Sequence, residues 1–302
     1  MSGRLPHVYT LTGNLLAEDT FQFVDWSPGR TQRATGTSFQ VGGKEINVSK
    51  MLNRLGVSNT ALCFTGGTSG MDCVTWLRKN AFACVAFPAE IPTRRGLVVR
   101  SEQKAETTFL GPDAPLDAAA ALACATYLDA QPDGHVLALC GSVPGWNRPG
   151  CDPLRAALER WQNRGTLVAD TYGEALGWLA HRPLALVKIN RQEFDALFTQ
   201  LKISADIETR LNYALAQWPA RAWIVTDGPR EVWWCEKGHS PSRITPPAVQ
   251  EISPTGSGDV FFAALLHSLY LRQTTVSAAI ASALPYAAAN AAHPGIAEFP
   301  LS

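Results

Sequence analysis

Residues 37–79 read TSFQVGGKEINVSKMLNRLGVSNTALCFTGGTSGMDCVTWLRK, and their pattern decides the fold class. A β-prone run at 37–41 meets the pair Gly42 and Gly43, after which Val48, Met51, Leu52 and Leu55 recur on one helical face. Gly56 stands where a left-handed C-cap belongs. The pattern then repeats, with an apolar run at 61–65, a second pair Gly66 and Gly67, and helical spacing over 71–79. Strand, glycine turn and helix in succession predict an α/β fold.

Upstream, residues 8–11 and 21–24 are short β-prone runs, the second ending at the turn-formers Ser27, Pro28 and Gly29. Downstream, extended runs at 97–100 and 106–110 predict a hairpin, an interruption of the alternation. Helices are then expected at 116–128, 153–163, 192–200 and 205–218, with strands at 136–140, 167–170, 184–188 and 222–226. A further hairpin pairs 232–235 with 242–245, and helices over 258–271 and 276–292 close the chain. This order predicts a mostly parallel sheet covered on both faces, with ligand crevices at the carboxyl ends of its strands.

Composition narrows the function classes. The chain has 302 residues with 26 basic and 26 acidic side chains, so no global field favours nucleic acid or an anionic membrane surface. Phosphate must therefore be held by local groups. The seven cysteines form no CxxC pair and their number is odd, which reads as reduced thiols in a cytoplasmic protein. The six histidines show no HExxH and no ligand-like spacing with cysteine, which argues against zinc. Neither an export signal nor a membrane span is expected.

The strongest chemical signal is SPTGSGD at 253–259, followed by Val260, Phe261, Ala264, Leu265 and Leu269 on a helical face. Gly256 and Gly258 allow backbone N–H groups to converge on an anion with the helix dipole behind them. Asp259, in the first turn, is placed to take a proton from an attacking hydroxyl while those amides hold a phosphoryl group. The local alternative is that Asp259 caps its helix. At the other glycine turn, Gly42 and Gly43 let a polyhydroxylated ligand lie against the backbone, and Lys44 and Asn47 supply donors. There the bland reading is a tight turn with Asn47 as N-cap.

Together, GGKEINVSKMLNRLG at 42–56 and SPTGSGD at 253–259 resemble the two signatures of the PfkB, or ribokinase-like, carbohydrate kinases. Between them, GSVP at 141–144 resembles the family's GSLP turn, NRQE at 190–193 its NxxE motif, and VTDG at 225–228 its strand-end V-T-x-G. The wording is most similar to the 1-phosphofructokinase and tagatose-6-phosphate kinase branch. The resemblance implies one three-layer α/β/α kinase domain over 1–302, with a small β lid drawn from about 13–43 and 88–112. It implies ATP and Mg²⁺ as cofactors, a sugar or sugar phosphate as acceptor, and a homodimer paired through the lid.

Carried over residue by residue, the resemblance makes Asp259 the catalytic base and the amides of Gly256, Ser257 and Gly258 the anion hole. Asn190 and Glu193 would organise Mg²⁺ through water, although together they also read as a local capping box. Lys188, Thr226 and Gly228 would face the nucleotide and Asn290 would border the adenine. Asn14, Gly42, Gly43, Lys44 and Asn47 would meet the acceptor, with Arg33 and Arg94 gripping a substrate phosphate. Two positions depart from the family pattern. Leu16 stands where the family's TLNPAxD segment has its sugar-binding Asp, with Asn14, Glu18 or Asp19 as substitutes, and Glu45 replaces a glycine of GGKG. These departures keep open a catalytically silent nucleotide- or sugar-binding homologue. A nucleoside kinase is disfavoured by the GGK triplet, and a dinucleotide oxidoreductase by the lack of G-x-G-x-x-G after the first strand.

Overall fold

The computed structural model describes residues 5–301. The chain opens with β1 (Val8–Leu11), β2 (Leu16–Phe23), β3 (Gly36–Gly42), α1 (Lys44–Arg54), β4 (Asn59–Thr65), α2 (Gly67–Lys79), β5 (Cys84–Pro88), β6 (Arg94–Ser101) and β7 (Thr107–Leu110). It continues through α3 (Ala118–Asp129), β8 (Val136–Cys140), α4 (Asp152–Trp161), β9 (Thr166–Asp170), α5 (Gly173–Ala180), β10 (Leu186–Asn190), α6 (Arg191–Gln200) and α7 (Ile207–Gln217). The last elements are β11 (Ala222–Thr226), β12 (Val232–Glu236), β13 (Ser242–Ile244), α8 (Ser257–Leu266) and α9 (Val276–Ala291).

Nine strands form one sheet in the order β13-β12-β11-β10-β9-β8-β1-β4-β5. From β5 to β11 every pairing is parallel, and β12 and β13 add an antiparallel edge. Period-two alternation splits the core into two layers. Leu137, Leu139, Leu167, Ala169, Val187 and Ile189 pack against α3 to α7, whereas Val136, Ala138, Cys140, Val168 and Leu186 pack against α1, α8 and α9. The sheet carries helices on both faces, giving three layers. β1 lies between β4 and β8, so the chain turns in opposite directions on its two sides. Such a switch point leaves a crevice at the carboxyl ends of the strands.

Four strands lying within 13–43 and 88–112 make a second sheet in the order β3-β2-β6-β7. Its register sets Leu16 opposite both Gly42 and Arg94. A third apolar cluster, including Ala17, Val41, Ile46, Ala61 and Cys73, fixes this sheet to α1 and α2.

Several elements differ from expectation. β5 and α5 were not anticipated: β5 ends in Pro88 at a sheet edge, and α5 is eight residues long with glycines at 173 and 177. Short length and Gly or Pro content weaken both patterns. β2 starts at Leu16 and not at 21, because Glu18 and Asp19 interrupt the apolar signal. The helix expected over 258–271 loses its α geometry at His267–Leu271, a π turn. All seven cysteines are free, and among the described residues no helix is long and apolar enough to cross a membrane.

Candidate active site

The turn entering α8 explains its glycines. Gly256 is the N-cap with φ of 77°, and a Cβ there would lie 2.4 Å from Ile296 Cγ2. Both the left-handed dihedral and the close approach require glycine. Ser257 N–H donates to the Pro254 carbonyl at 3.2 Å, and Asp259 N–H donates to Gly256 at 3.0 Å. Among the described residues, the amides of Gly256 and Gly258 donate to no acceptor. Of the three amides expected to form the anion hole, two are therefore open, while that of Ser257 is tied into the turn.

Asn290, expected to border the adenine, is occupied within the chain. It is buried, its Nδ2 donates to the Thr255 carbonyl and to Ser257 Oγ at 3.0 Å each, and its Oδ1 accepts from Ala297 N–H at 2.7 Å. Its polar groups brace the glycine turn against the chain's last residues.

Asp259 is only 7% exposed, and its carboxylate accepts from Asn47 Nδ2 at 2.7 Å. The contact joins residues 212 positions apart and brings the two glycine-turn motifs together. Burial pushes the Asp259 carboxyl up to about 6, despite the nearby Lys44 cation and the Asn47 bond. A carboxyl poised near neutrality is suited to accept a proton.

Beside it runs a chain of charges. Lys44 Nζ lies 2.9 Å from Asp170 Oδ1 and 3.0 Å from Glu193 Oε1. Lys188 Nζ lies 2.8 Å from Asp170 Oδ2 and donates to the Gly258 carbonyl at 3.1 Å. Burial alone would raise the fully buried Asp170, but Lys188 and Lys44 together hold it below the usual carboxylate range. Burial would lower Lys44, yet Asp170, Glu193 and Asp259 keep it firmly protonated. Lys188, expected to face the nucleotide, is itself buried and links β9, β10 and α8.

Asp170 was not singled out from sequence. Its signal was available, as an acidic residue following the apolar run Leu167, Val168 and Ala169 at the crevice side of a parallel sheet.

Asn190 and Glu193 do form a capping box on α6: Asn190 Oδ1 accepts from Glu193 N–H at 2.8 Å, and Glu193 Oε2 accepts from Asn190 N–H at 2.9 Å. Glu193 Oε1 meanwhile holds Lys44, so the cap also joins the charge chain. Register sets Asn190 beside Thr226 at the crevice edge, and Gly228, at φ of 55°, follows on an exposed turn. Among the described residues, no cluster of three or more His, Cys, Asp or Glu can cage a metal. Asp170 is fully buried with both oxygens paired to lysines, so on this edge the partly exposed Glu193, beside Asn190, is the carboxylate that fits a hard cation, held through water and phosphate oxygens as Mg²⁺ prefers.

On the opposite side, Asn14 Nδ2 donates to Asp113 Oδ1 at 2.8 Å and to Ser142 Oγ at 2.9 Å. Arg94 pairs with Asp113 at 3.1 Å. Arg33 does not join Arg94 within the chain. It lies near Thr35, whose N–H bonds to Gln22 at the far end of β2, while Arg94 sits opposite Leu16. Six residues of strand put about 20 Å between those ends.

Leu16 is buried, packing where Cβ atoms on Gly42 and Gly96 would stand, and cannot replace the family's Asp. Glu18 instead brings its carboxylate within 3.5 Å of the Gly42 position and bonds the Gln40 side chain, while Asp19 pairs with Arg95 at 3.5 Å. Glu45 folds back so that Oε2 would lie 2.6 Å from a Cβ on Gly43, whose φ is 126°. The Glu45 carboxyl is fully buried with no side-chain partner, and burial pushes it up to about 8 against its own and the Ile46 backbone N–H groups, with the Asp259 charge adding to the rise.

The chain matches the model of the pfkB family carbohydrate kinases over residues 14–301. It is 28% identical over 239 residues to the ATP-dependent 6-phosphofructokinase isozyme 2 of Escherichia coli, covering 77% of this chain and 76% of that protein. It is also 28% identical over 204 residues to a D-tagatose-1-phosphate kinase of Bacillus licheniformis, covering 67% and 65%. A crystal structure of E. coli phosphofructokinase-2 with fructose-6-phosphate superposes with a TM-score of 0.83 at 24% identity over 95% of this chain and 93% of that one. A ribokinase from Thermotoga maritima gives 0.77 at 18% identity over 97% and 96%, and both likenesses describe the fold. By the family match along nearly its whole length, the chain belongs to the pfkB family of carbohydrate kinases.

Proposed function

We propose that this kinase transfers the γ-phosphoryl group of ATP to a hydroxyl of a sugar or sugar phosphate, with Asp259 as the base. The observation that carries the reading is the buried Asp259 carboxylate, held by Asn47 at 2.7 Å beside the open amides of Gly256 and Gly258. Asp259 takes the hydroxyl proton as the oxygen attacks phosphorus. The Gly256 and Gly258 amides, with the α8 dipole behind them, receive the charge of the transferring group. Lys188 fixes those amides through the Gly258 carbonyl, and Asp170 holds Lys44 and Lys188 on the phosphate side of the cleft. Mg²⁺ bound with ATP would neutralise phosphate charge, with Asn190 and Glu193 ordering its waters. Thr226 and Gly228 edge the nucleotide side, while Gly42, Gly43 and Asn47 floor the acceptor side.

The second sheet acts as a lid over the acceptor, excluding water and so suppressing ATP hydrolysis. Its exposed Phe109 and Leu110, with Val24 just beyond β2, support pairing of two lids in a homodimer, which sedimentation as a monomer at all concentrations would exclude.

The deciding experiment measures ADP formation with Mg²⁺ and ATP across free sugars, sugar phosphates and nucleosides. Turnover dependent on a sugar or its phosphate, and absent with nucleosides, is expected. ADP formation that no acceptor stimulates would make the chain a silent binding homologue.

A further inference from the structure

We propose that the acceptor presents a neutral, hydroxyl-bearing end to the subsite at Arg94, and not a phosphate, with Asp113 setting that preference. The inference rests on the kinase reading and names the acceptor's class within it: an unphosphorylated sugar.

Within one chain, the cations offered by sequence for an acceptor phosphate are all committed or distant. Lys44 is held by Asp170 and Glu193 at 2.9 and 3.0 Å. Arg33 lies at the far end of the second sheet. Arg94 is paired with Asp113 at 3.1 Å, and that same carboxylate oxygen accepts from Asn14 at 2.8 Å, which fixes it over the guanidinium. A phosphate dianion would have to displace Asp113 and remain beside it. One more carboxylate faces the same floor, Glu18, next to the Gly42 position.

The unbonded polar atoms point the same way. Arg94 Nε is a buried donor without an acceptor, whereas Asn14 Oδ1 and both Glu45 oxygens are buried without a hydrogen-bond partner. A sugar hydroxyl both donates and accepts, so it can satisfy Arg94 Nε and Asn14 Oδ1 alike. A phosphate dianion only accepts. It would answer Arg94 and leave Asn14 Oδ1 facing another oxygen.

The test compares kcat/KM for matched pairs, fructose with fructose 6-phosphate and tagatose with tagatose 6-phosphate, in the full chain and in Asp113→Asn and Asp113→Gly. The Asp113 side chain is 57% exposed, so neither change disturbs a packed core. The unmodified protein is expected to favour the free sugar by about tenfold or more, the scale of one charge acting on a phosphate about 5 Å away in water. Both variants should raise kcat/KM for the phosphate about tenfold while leaving the KM for ATP unchanged, and calorimetry should show fructose 6-phosphate binding gained in step. A phosphate-preferring unmodified protein, or a ratio that Asp113 variants do not move, overturns the inference and leaves the kinase reading standing. Failure of every free and phosphorylated sugar to support turnover overturns the kinase reading, and this inference with it.

Discussion

Asp259 and Glu45 are both buried carboxyl groups, and their different partners give them different roles. Asp259 has Asn47 and the field of two lysines, and it is poised at about 6. Glu45 has no side-chain partner and is pushed to about 8 by burial. In the unfolded chain a glutamate ionises at about 4.3. Between that value and about 8 the folded state keeps a proton at Glu45 that the unfolded state releases, so stability falls as pH rises through this window. Glu45→Gln removes this dependence. The variant should be more stable than the parent at pH 8.5 by on the order of 1–3 kcal/mol and nearly equal at pH 5. Urea midpoints at the two pH values measure this, and an equal difference at both would show that Glu45 is ionised in the fold. The glutamate itself was plain in the sequence as a departure from a glycine. Its isolation was not, because burial and the absence of partners arise only when β4, α1 and α2 close around it.

Among the elements, the glycine turn ahead of α8 was the most legible, since a residue pair of this kind before an apolar helix has few other uses. What could not be read there was its bracing. Asn290 and Ile296, from beyond the end of α8, set the turn's shape by a hydrogen bond and by a steric wall. Gly256→Ala should therefore cost about 2 kcal/mol or more, combining left-handed strain with a clash against Ile296. It should also lower kcat, because the open amides lose their aim. A midpoint in urea unchanged from the parent would mean that the turn relaxes freely. The capping box at Asn190 and Glu193 teaches a related point. Local and functional readings were set against each other in the sequence; the local cap is formed, and its remaining oxygen holds Lys44. Elements that escaped notice, β5 and α5, are short and rich in breakers, and tertiary packing on the sheet forms them.

At the scale of the molecule, alternation of strand and helix was enough to predict a parallel sheet covered on both faces. The separation of a second, four-stranded sheet was legible as a break in that rhythm. Distances across the cleft were not. The resemblance grouped Arg33 with Arg94 as guanidinium forks for a phosphate, whereas Arg33 precedes the Gly36 end of β3 and Arg94 pairs with Leu16 at the other end of the sheet. Conversely, Asn47 and Asp259, 212 residues apart, meet because α1 and α8 pack side by side on the same face of the sheet. That meeting is the account's central claim, and Asp259→Asn tests it most directly. With ATP, Mg²⁺ and a sugar acceptor, kcat should fall by about 10²–10⁴-fold, while ATP affinity measured by calorimetry stays within about twofold of the parent, because the proposed role of Asp259 is toward the acceptor hydroxyl and not the nucleotide. Near-normal kcat in that variant would contradict the account.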